Sequence, residues 1–495
     1  MVRMTEHTAS GNPRRIHSKG VNTTGKSVLW FFALVAVTFV TTYFSPPVIA
    51  SVWYASLLVM YYLSDDEPMW LAFFLVTIDG FMGFFGLYEV SMNLLPGLPA
   101  VEISQIYILL TVVKALQKKN RARVFYIKYL QVLGGYVIFL IIWGQLMGLS
   151  GGLNVYFRVL KTTLPFVLFF SLPHLLTDIR DYKRFFSIIF IVIILALVTQ
   201  LHTLFTGSHP VERLNPATSE AVDTDDFRVF YSATATLTGL FGALFFLSMD
   251  RGRVFSVWIL LFVVFSSLMI AVISATRGWM IGFAVITLLS LMTIRRVGPL
   301  KLAGFVVFTG LFVLLALSND RVSSQLKYSG ERLVKLESVG EGDVTAQGTL
   351  QRLNIRQPRV IRIWKENPLF GWGFSDVYYS TSDGHVGNFN LLMFSGVAGM
   401  ALLYGFLIYF SYMLYLSYRH FPRSSPYKRS SLIFIGFLAG WFVIHSTSGQ
   451  QFSFSALPLQ AMPQALFLSL GAMHYNNSLK HLSGNHVRQN PHPLP

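Results

Sequence analysis

The chain has 495 residues, of which 53% are hydrophobic and only 13% charged, and its mean hydropathy is +0.53. A soluble protein carries about 25% charged residues, so this composition excludes a soluble globular enzyme and a disordered protein. The absence of cysteine excludes a disulfide scaffold, thiolate metal sites and cysteine nucleophiles. The net charge of +16, from 39 Lys+Arg against 23 Asp+Glu, would by itself suit nucleic acid, but its placement along the chain points to a multi-spanning membrane protein.

A spanning helix needs roughly 20 mostly apolar residues. The chain opens with a polar, basic head over 1–27, in which no A-x-A-like cleavage site precedes the first apolar run, so that run is expected to be retained. Fourteen candidate spans follow, at about 28–44, 47–63, 69–88, 101–117, 131–149, 159–176, 185–206, 229–249, 254–273, 277–294, 299–317, 390–416, 431–448 and 457–474. The first eleven form a bundle over 28–317, a large loop occupies 318–389, the last three spans lie within 390–474, and a polar tail covers 475–495. The expected fold is an all-α polytopic membrane helix bundle with a large, partly helical periplasmic loop. No internal repeat is visible, which disfavours a transporter built from duplicated halves.

Lys and Arg in the short loops set the orientation. The head carries Arg3, Arg14, Arg15, Lys19 and Lys26, and the loop after the fourth span carries Lys118, Lys119, Arg121, Arg123 and Lys128. Later connections add Arg180, Lys183 and Arg184, then Arg251 and Arg253, then Arg295, Arg296 and Lys301, then Arg419, Arg423, Lys428 and Arg429. All fall on one side if both termini are cytoplasmic. Only Asp65, Asp66 and Glu67 interrupt the pattern. The positive charge is therefore read as a topology signal, with no nucleic-acid partner.

The opposite face receives two long loops. Gly207–Arg228 is acidic, and its Asp223-Thr224-Asp225-Asp226 has the form of a weak D-x-D metal motif that no nearby His or Glu supports. In the larger loop, Lys327–Gly348 is polar and Gly-rich and is expected to be mobile. Arg352, Arg356 and Arg359 then follow at i, i+4, i+7, so on a helix they share a face, which Asn367-Pro368 ends. Arginine suits phosphate, because its planar fork binds two oxygens at once; the competing reading is a solvated amphipathic helix on lipid headgroups. Asp383-Gly384-His385-Val386-Gly387-Asn388 precedes the twelfth span, and a histidine there can act as a base near neutral pH, or simply be solvated.

Other charges lie at span edges. Arg277 sits in the tight turn Ser274-Ala275-Thr276-Arg277-Gly278, Arg158 and Lys161 enter the sixth span from outside, and Arg228 enters the eighth. Each can be an interface anchor; together with the loop arginines they can line one electropositive cavity that suits a diphosphate. Asp79, near the middle of the third span, either pairs with a cation or bonds between helices. His202 and His445 are second-tier candidates.

The combination of Asn367-Pro368-Leu369-Phe370-Gly371-Trp372-Gly373, then His385, then Gly396-Val397-Ala398-Gly399 eleven residues later, resembles the signature of the O-antigen ligase and O-antigen polymerase family, and Ser274–Gly278 resembles that family's S-x-(S/T)-R-G turn. The specific match covers residues 274–399. Two features depart from it: Val386 stands where the family often has Asn, with Asn388 nearby, and the aromatic residue usual after the loop arginine is missing near Arg356-Gln357. The key loop arginine is thus open among Arg352, Arg356 and Arg359.

The resemblance implies a glycosyltransferase that takes glycan from undecaprenyl diphosphate on the periplasmic face of the bacterial inner membrane, without cofactor or metal. In that reading His385 is the proton acceptor or orienting group, and Arg277 with Arg352 holds the leaving diphosphate. Arg356, Arg359, Arg158, Lys161, Arg228 and Asn388 bind substrate. The acceptor is another lipid-linked repeat for a polymerase, the favoured reading, or lipid A-core for a ligase. A lipid-linked oligosaccharide flippase is the alternative of another class. A chain-length regulator on the basic cytoplasmic loops is left open as a partner.

Overall fold

The computed structural model describes residues 17–88, 90–92, 99–119, 122–211, 230–249, 254–294, 298–334, 352–384, 386–423, 425–447 and 452–489. It is mostly helical, with little sheet. The first helices are α1 His17–Phe44, α2 Pro47–Leu63 and α3 Glu67–Ile78. Pro46 and Pro47 separate α1 from α2, because a proline at a helix start needs no intrahelical N–H partner. An antiparallel ribbon pairs β1 Ser91–Met92 with β2 Val101–Glu102. Next come α4 Ile103–Gln117, α5 Ile127–Leu146, α6 Leu153–Thr163, α7 Leu168–Leu175 and α8 Ile179–Thr206. They are followed by α9 Ala233–Ser248, α10 Val257–Ile273, α11 Arg277–Leu291, α12 Pro299–Leu317 and α13 Asp320–Val334. The remainder comprises a π turn Arg352–Arg356, then α14 Gln357–Glu366, α15 Asp376–Thr381, α16 Gly387–His420, α17 Ser430–Thr447 and α18 Pro458–Gln489.

Among the described residues, five helical stretches are long and apolar enough to cross a membrane: Thr24–Phe44, Ile127–Leu146, Leu153–Leu175, Ile179–Thr206 and Gly387–His420. Seven shorter apolar helices accompany them. The outside of the bundle is apolar too. Leu29, Trp30, Val48, Leu63, Ile138, Leu146 and Ile408 are all exposed, the surface that a hydrocarbon layer covers and water does not. Inside, aromatic rings carry the packing: Phe410, Phe434 and Phe437 surround Phe467, with centroid separations of 5.2–5.8 Å.

Helix ends sort into two groups. At one end, Asp66 accepts from Ser27 and pairs with Arg184 (3.1 Å), and Asn476 donates to the Arg123 carbonyl (2.7 Å). At the other, Met82 meets Ser232 and His209, Ala456 donates to the Thr162 carbonyl (2.9 Å), and Gln325 to that of Ile273 (2.7 Å). The acidic 65–67 segment thus sits at the basic end, where Arg184 and Lys114 neutralise Asp66 and Glu67.

Two expectations are corrected. The third apolar run, 69–88, is not one helix: α3 ends at Ile78, and Asp79 accepts hydrogen bonds from the Thr234 N–H (2.8 Å) and hydroxyl (3.1 Å). The chain then folds back so that Leu87 N–H reaches the Thr77 carbonyl (2.8 Å). The two readings left open for Asp79 resolve to a bond between elements, one that caps α9 at its N-terminus. The stretch expected to be mobile from Lys327 begins instead inside α13, where Gln325 and Ser329 bond the last carbonyls of α10; residues 335–351 lie outside the described residues.

Candidate functional site

The glycine motifs of the sequence form one backbone unit. Helix α16 breaks at Gly396, whose φ of 63° and ψ of −174° belong to a region essentially reserved for glycine. The break frees backbone groups that the 367–373 turn takes up. Trp372 and Gly373 N–H donate to the carbonyls of Met393 (2.9 Å) and Phe394 (2.8 Å), while Val397 and Ala398 N–H donate to those of Pro368 and Leu369 (both 3.0 Å). In an unbroken helix, 397 would pair with 393 and 398 with 394. Gly371, at φ +67°, allows a close approach as well, since a Cβ there would lie 2.5 Å from the Met393 carbonyl oxygen. Helix α5 holds this clasp in place through Trp143 Nε1 to the Gly371 carbonyl (2.9 Å) and Tyr136 Oη to that of Ser395 (2.6 Å).

The loop has its own small core, Val360, Val386 and Met393, packed with Ile363, Trp364 and Trp372. The arginine stripe is not a regular helix. Pro358 has no N–H to give the carbonyl four residues back, and the chain widens into the π turn 352–356 before α14 starts. Arg356 pairs with Asp383 (3.3 Å) and Arg359 donates to the Thr381 carbonyl (3.2 Å), so both grip the strap that leads into α16. Asn390 secures the strap from the other side: its Oδ1 accepts from Asp383 N–H (3.0 Å) and its Nδ2 donates to the Asp383 carbonyl. The Arg356 side chain is 39% exposed, so this ion pair contributes about 0–1 kcal/mol. Arg356→Ala is therefore expected to leave thermal unfolding in detergent nearly unchanged; a large loss of stability would show that the arginine is a structural strut.

Between this strap and the segment leading into α18 lies a cavity of about 230 Å³. Its walls include Thr162, Tyr378, Ser382, Asn390, Phe394, Ser453 and Gln460, and Gly384 and Gly387 flank it on either side of position 385. Among the described residues, no side chain lining it carries charge. Tyr378 and the adjacent Tyr379 are both pushed up to about 12 by burial, so their phenols stay protonated at neutral pH. The Arg158 guanidinium lies 4.4 Å from the centre of the Tyr379 ring.

The other expected site residues have these positions. Arg277 opens α11 in a turn where Ala275 adopts φ +50°, and the contacts of that turn run to α10 and α13. Helices α11 and α17 run antiparallel, Gly282 against Ile444 and Gly440 against Ile286, which sets the Arg277 turn level with the C-terminal end of α17. From there the chain continues into the 452–460 wall of the cavity. Lys161 is already paired, with Glu102. Asn388 turns inward and accepts from the Tyr404 hydroxyl (3.0 Å). His202 lies in the last turn of α8 and accepts the Thr206 hydroxyl bond on its carbonyl. His385, Arg228, the Asp223–Asp226 cluster, and the side chains of Arg352 and His445 lie outside the described residues.

No model of a known protein family matches the chain, and no curated protein matches it. What the site offers is therefore judged on its own chemistry. Sequence reasoning missed Asn390, Asp383, Tyr378 and Gln460. The first two had a usable signal, an Asp and an Asn seven residues apart across a helix start, where such side chains commonly bond local backbone. Gln460 had none, because only the tertiary fold brings α18 to the loop.

Proposed function

We propose that the chain is a membrane glycosyltransferase that polymerises undecaprenyl-diphosphate-linked oligosaccharide repeats into O-antigen or exopolysaccharide at the periplasmic face of the bacterial inner membrane. The observation that carries this reading is the clasp. The two glycine motifs that resemble the O-antigen ligase and polymerase signature bond each other backbone to backbone, beside a cavity of hydroxyl and amide groups. In this reading the chain crosses the membrane fourteen times with both termini cytoplasmic, and the basic end faces the cytoplasm.

The reaction joins a hydroxyl of the acceptor sugar to the anomeric carbon of the donor. The C–O bond to the acceptor forms as the bond to the diphosphate breaks, with inversion. His385 takes the hydroxyl proton or orients it, and the leaving diphosphate departs against fixed positive charge from Arg277 and a loop arginine, Arg352, Arg356 or Arg359, without a metal. The clasp serves this chemistry by fixing the strap that carries residue 385 to the membrane helices.

The test is a deletion strain complemented with wild type, Arg277→Ala or His385→Ala, with surface glycan and extracted lipid-linked intermediates compared on gels. Each variant is expected to lose glycan output by about 100-fold or more at normal protein level, with single lipid-linked repeats accumulating. Long chains that stay on undecaprenyl diphosphate would make the protein a ligase. Normal glycan in both variants would leave a flippase or scaffold as the better reading.

A further inference from the structure

We propose that the 230 Å³ cavity is the seat of a single uncharged sugar ring, formed jointly by the strap before α16 and the segment leading into α18. This deepens the glycosyltransferase reading and rests on it: the seated ring is the one that presents the attacking hydroxyl.

Three features of the wall support the assignment. Tyr378, backed by the buried Phe394 ring at 4.6 Å, offers aromatic surface to the apolar face of a pyranose. Ser382, Asn390, Ser453 and Gln460 supply hydroxyl and amide groups, which both donate and accept, as sugar hydroxyls do. The volume is below the roughly 300–1,000 Å³ of sites for drug-sized ligands, so it suits one ring and not an oligosaccharide.

Charge selects the class of sugar. A uronic acid would bring a full negative charge into a cavity whose lining, among the described residues, contains no Lys or Arg. Arg356 and Arg359 are turned to Asp383 and the Thr381 carbonyl. The N-terminus of α16 at Gly387 adds the equivalent of roughly half a positive charge. That falls short of a counter-ion for a carboxylate. The geometry therefore points to a neutral hexose or N-acetylhexosamine.

The experiment uses the full chain in lipid nanodiscs and saturation-transfer NMR with methyl glycosides of glucose, galactose, N-acetylglucosamine and glucuronic acid. Ser455→Phe, at the cavity wall, serves as the filled variant, and its thermal midpoint is measured to show that it folds. At least one neutral glycoside is expected to give saturation transfer that falls at least five-fold in Ser455→Phe, while glucuronate gives none. Equal signals in both proteins, glucuronate binding as strongly as the neutral sugars, or no signal from any of them would overturn the proposal. If Ser455→Phe fails to fold, Gln460→Ala takes its place with the same criteria. Transfer from a lipid-linked repeat is assayed in parallel. Binding without transfer would keep the seat and remove the enzymatic reading; transfer that survives loss of binding would remove the seat alone.

Discussion

Gly396→Ala is expected to remove the protein from the membrane as a folded species, and, on the proposed function, all long-chain glycan with it. At φ 63° and ψ −174° an alanine costs about 1–3 kcal/mol in backbone strain alone. Its Cβ would press on the Leu369 carbonyl and come within 2.5 Å of the Phe370 nitrogen. These are backbone atoms, so no side-chain rotation relieves the contact. Relief requires the turn to withdraw, and withdrawal breaks the four cross-bonds between 368–373 and 393–398, each contributing about 1 kcal/mol. Gly371→Ala meets the same obstacle from the other side of the clasp. Gly134→Ala is the control: it lies within α5 with open space around it, and there the change is expected to be neutral or to stabilise by up to about 1 kcal/mol. The readout is the monodisperse fraction after detergent extraction. Gly396→Ala behaving like Gly134→Ala would mean that the clasp does not hold the loop.

The same clasp shows how far the sequence could be read. Apolar runs located helices well: α2 begins and ends where the 47–63 run does, and α12 spans the 299–317 run. Those segments are specified locally, by composition and by breakers such as Pro46-Pro47. The 69–88 run misled because hydrophobicity cannot tell a helix from an aromatic fold-back; what ends α3 is Asp79 reaching Thr234, 155 residues away. The glycine motifs were visible as spacing, but their purpose was not, since backbone pairing between 372 and 393 leaves no mark on side-chain pattern. The arginine stripe was read on a uniform helical period, and one proline changed the geometry beneath it. Arg356 could be nominated from its neighbours in sequence, whereas its partner Asp383 lies across the loop. Charge identity was legible, and charge pairing was not.

Lys114→Met tests the most buried ion pair among the described residues. The Lys114 ammonium lies 2.6 Å from the Glu67 carboxylate, and the two side chains are only 8% and 5% exposed. It also donates to the carbonyls of Tyr61 (3.0 Å) and Ser64 (2.6 Å), so it closes the C-terminus of α2 while it balances the first turn of α3. Removing it strands a buried carboxylate and the Ser64 carbonyl, while that of Tyr61 keeps the Ser64 N–H (3.2 Å), which is expected to cost about 3–5 kcal/mol. Glu67→Met is milder, because the ammonium keeps both carbonyls and its place 4.4 Å over the Tyr61 ring. The double variant Glu67→Met/Lys114→Met removes both charges and leaves only the lost Lys114 bond at the Ser64 carbonyl, so it is expected to be more stable than Lys114→Met alone. The double-mutant cycle then gives a coupling of roughly 1–3 kcal/mol. Strictly additive effects would mean that the pair is solvated in the membrane-bound protein. Because this pair lies at the basic end, away from the cavity and the clasp, the proposed glycan transfer is expected to stay at the wild-type level per folded molecule in all three variants. A loss of folded protein and a loss of chemistry can thereby be told apart in the same set of strains.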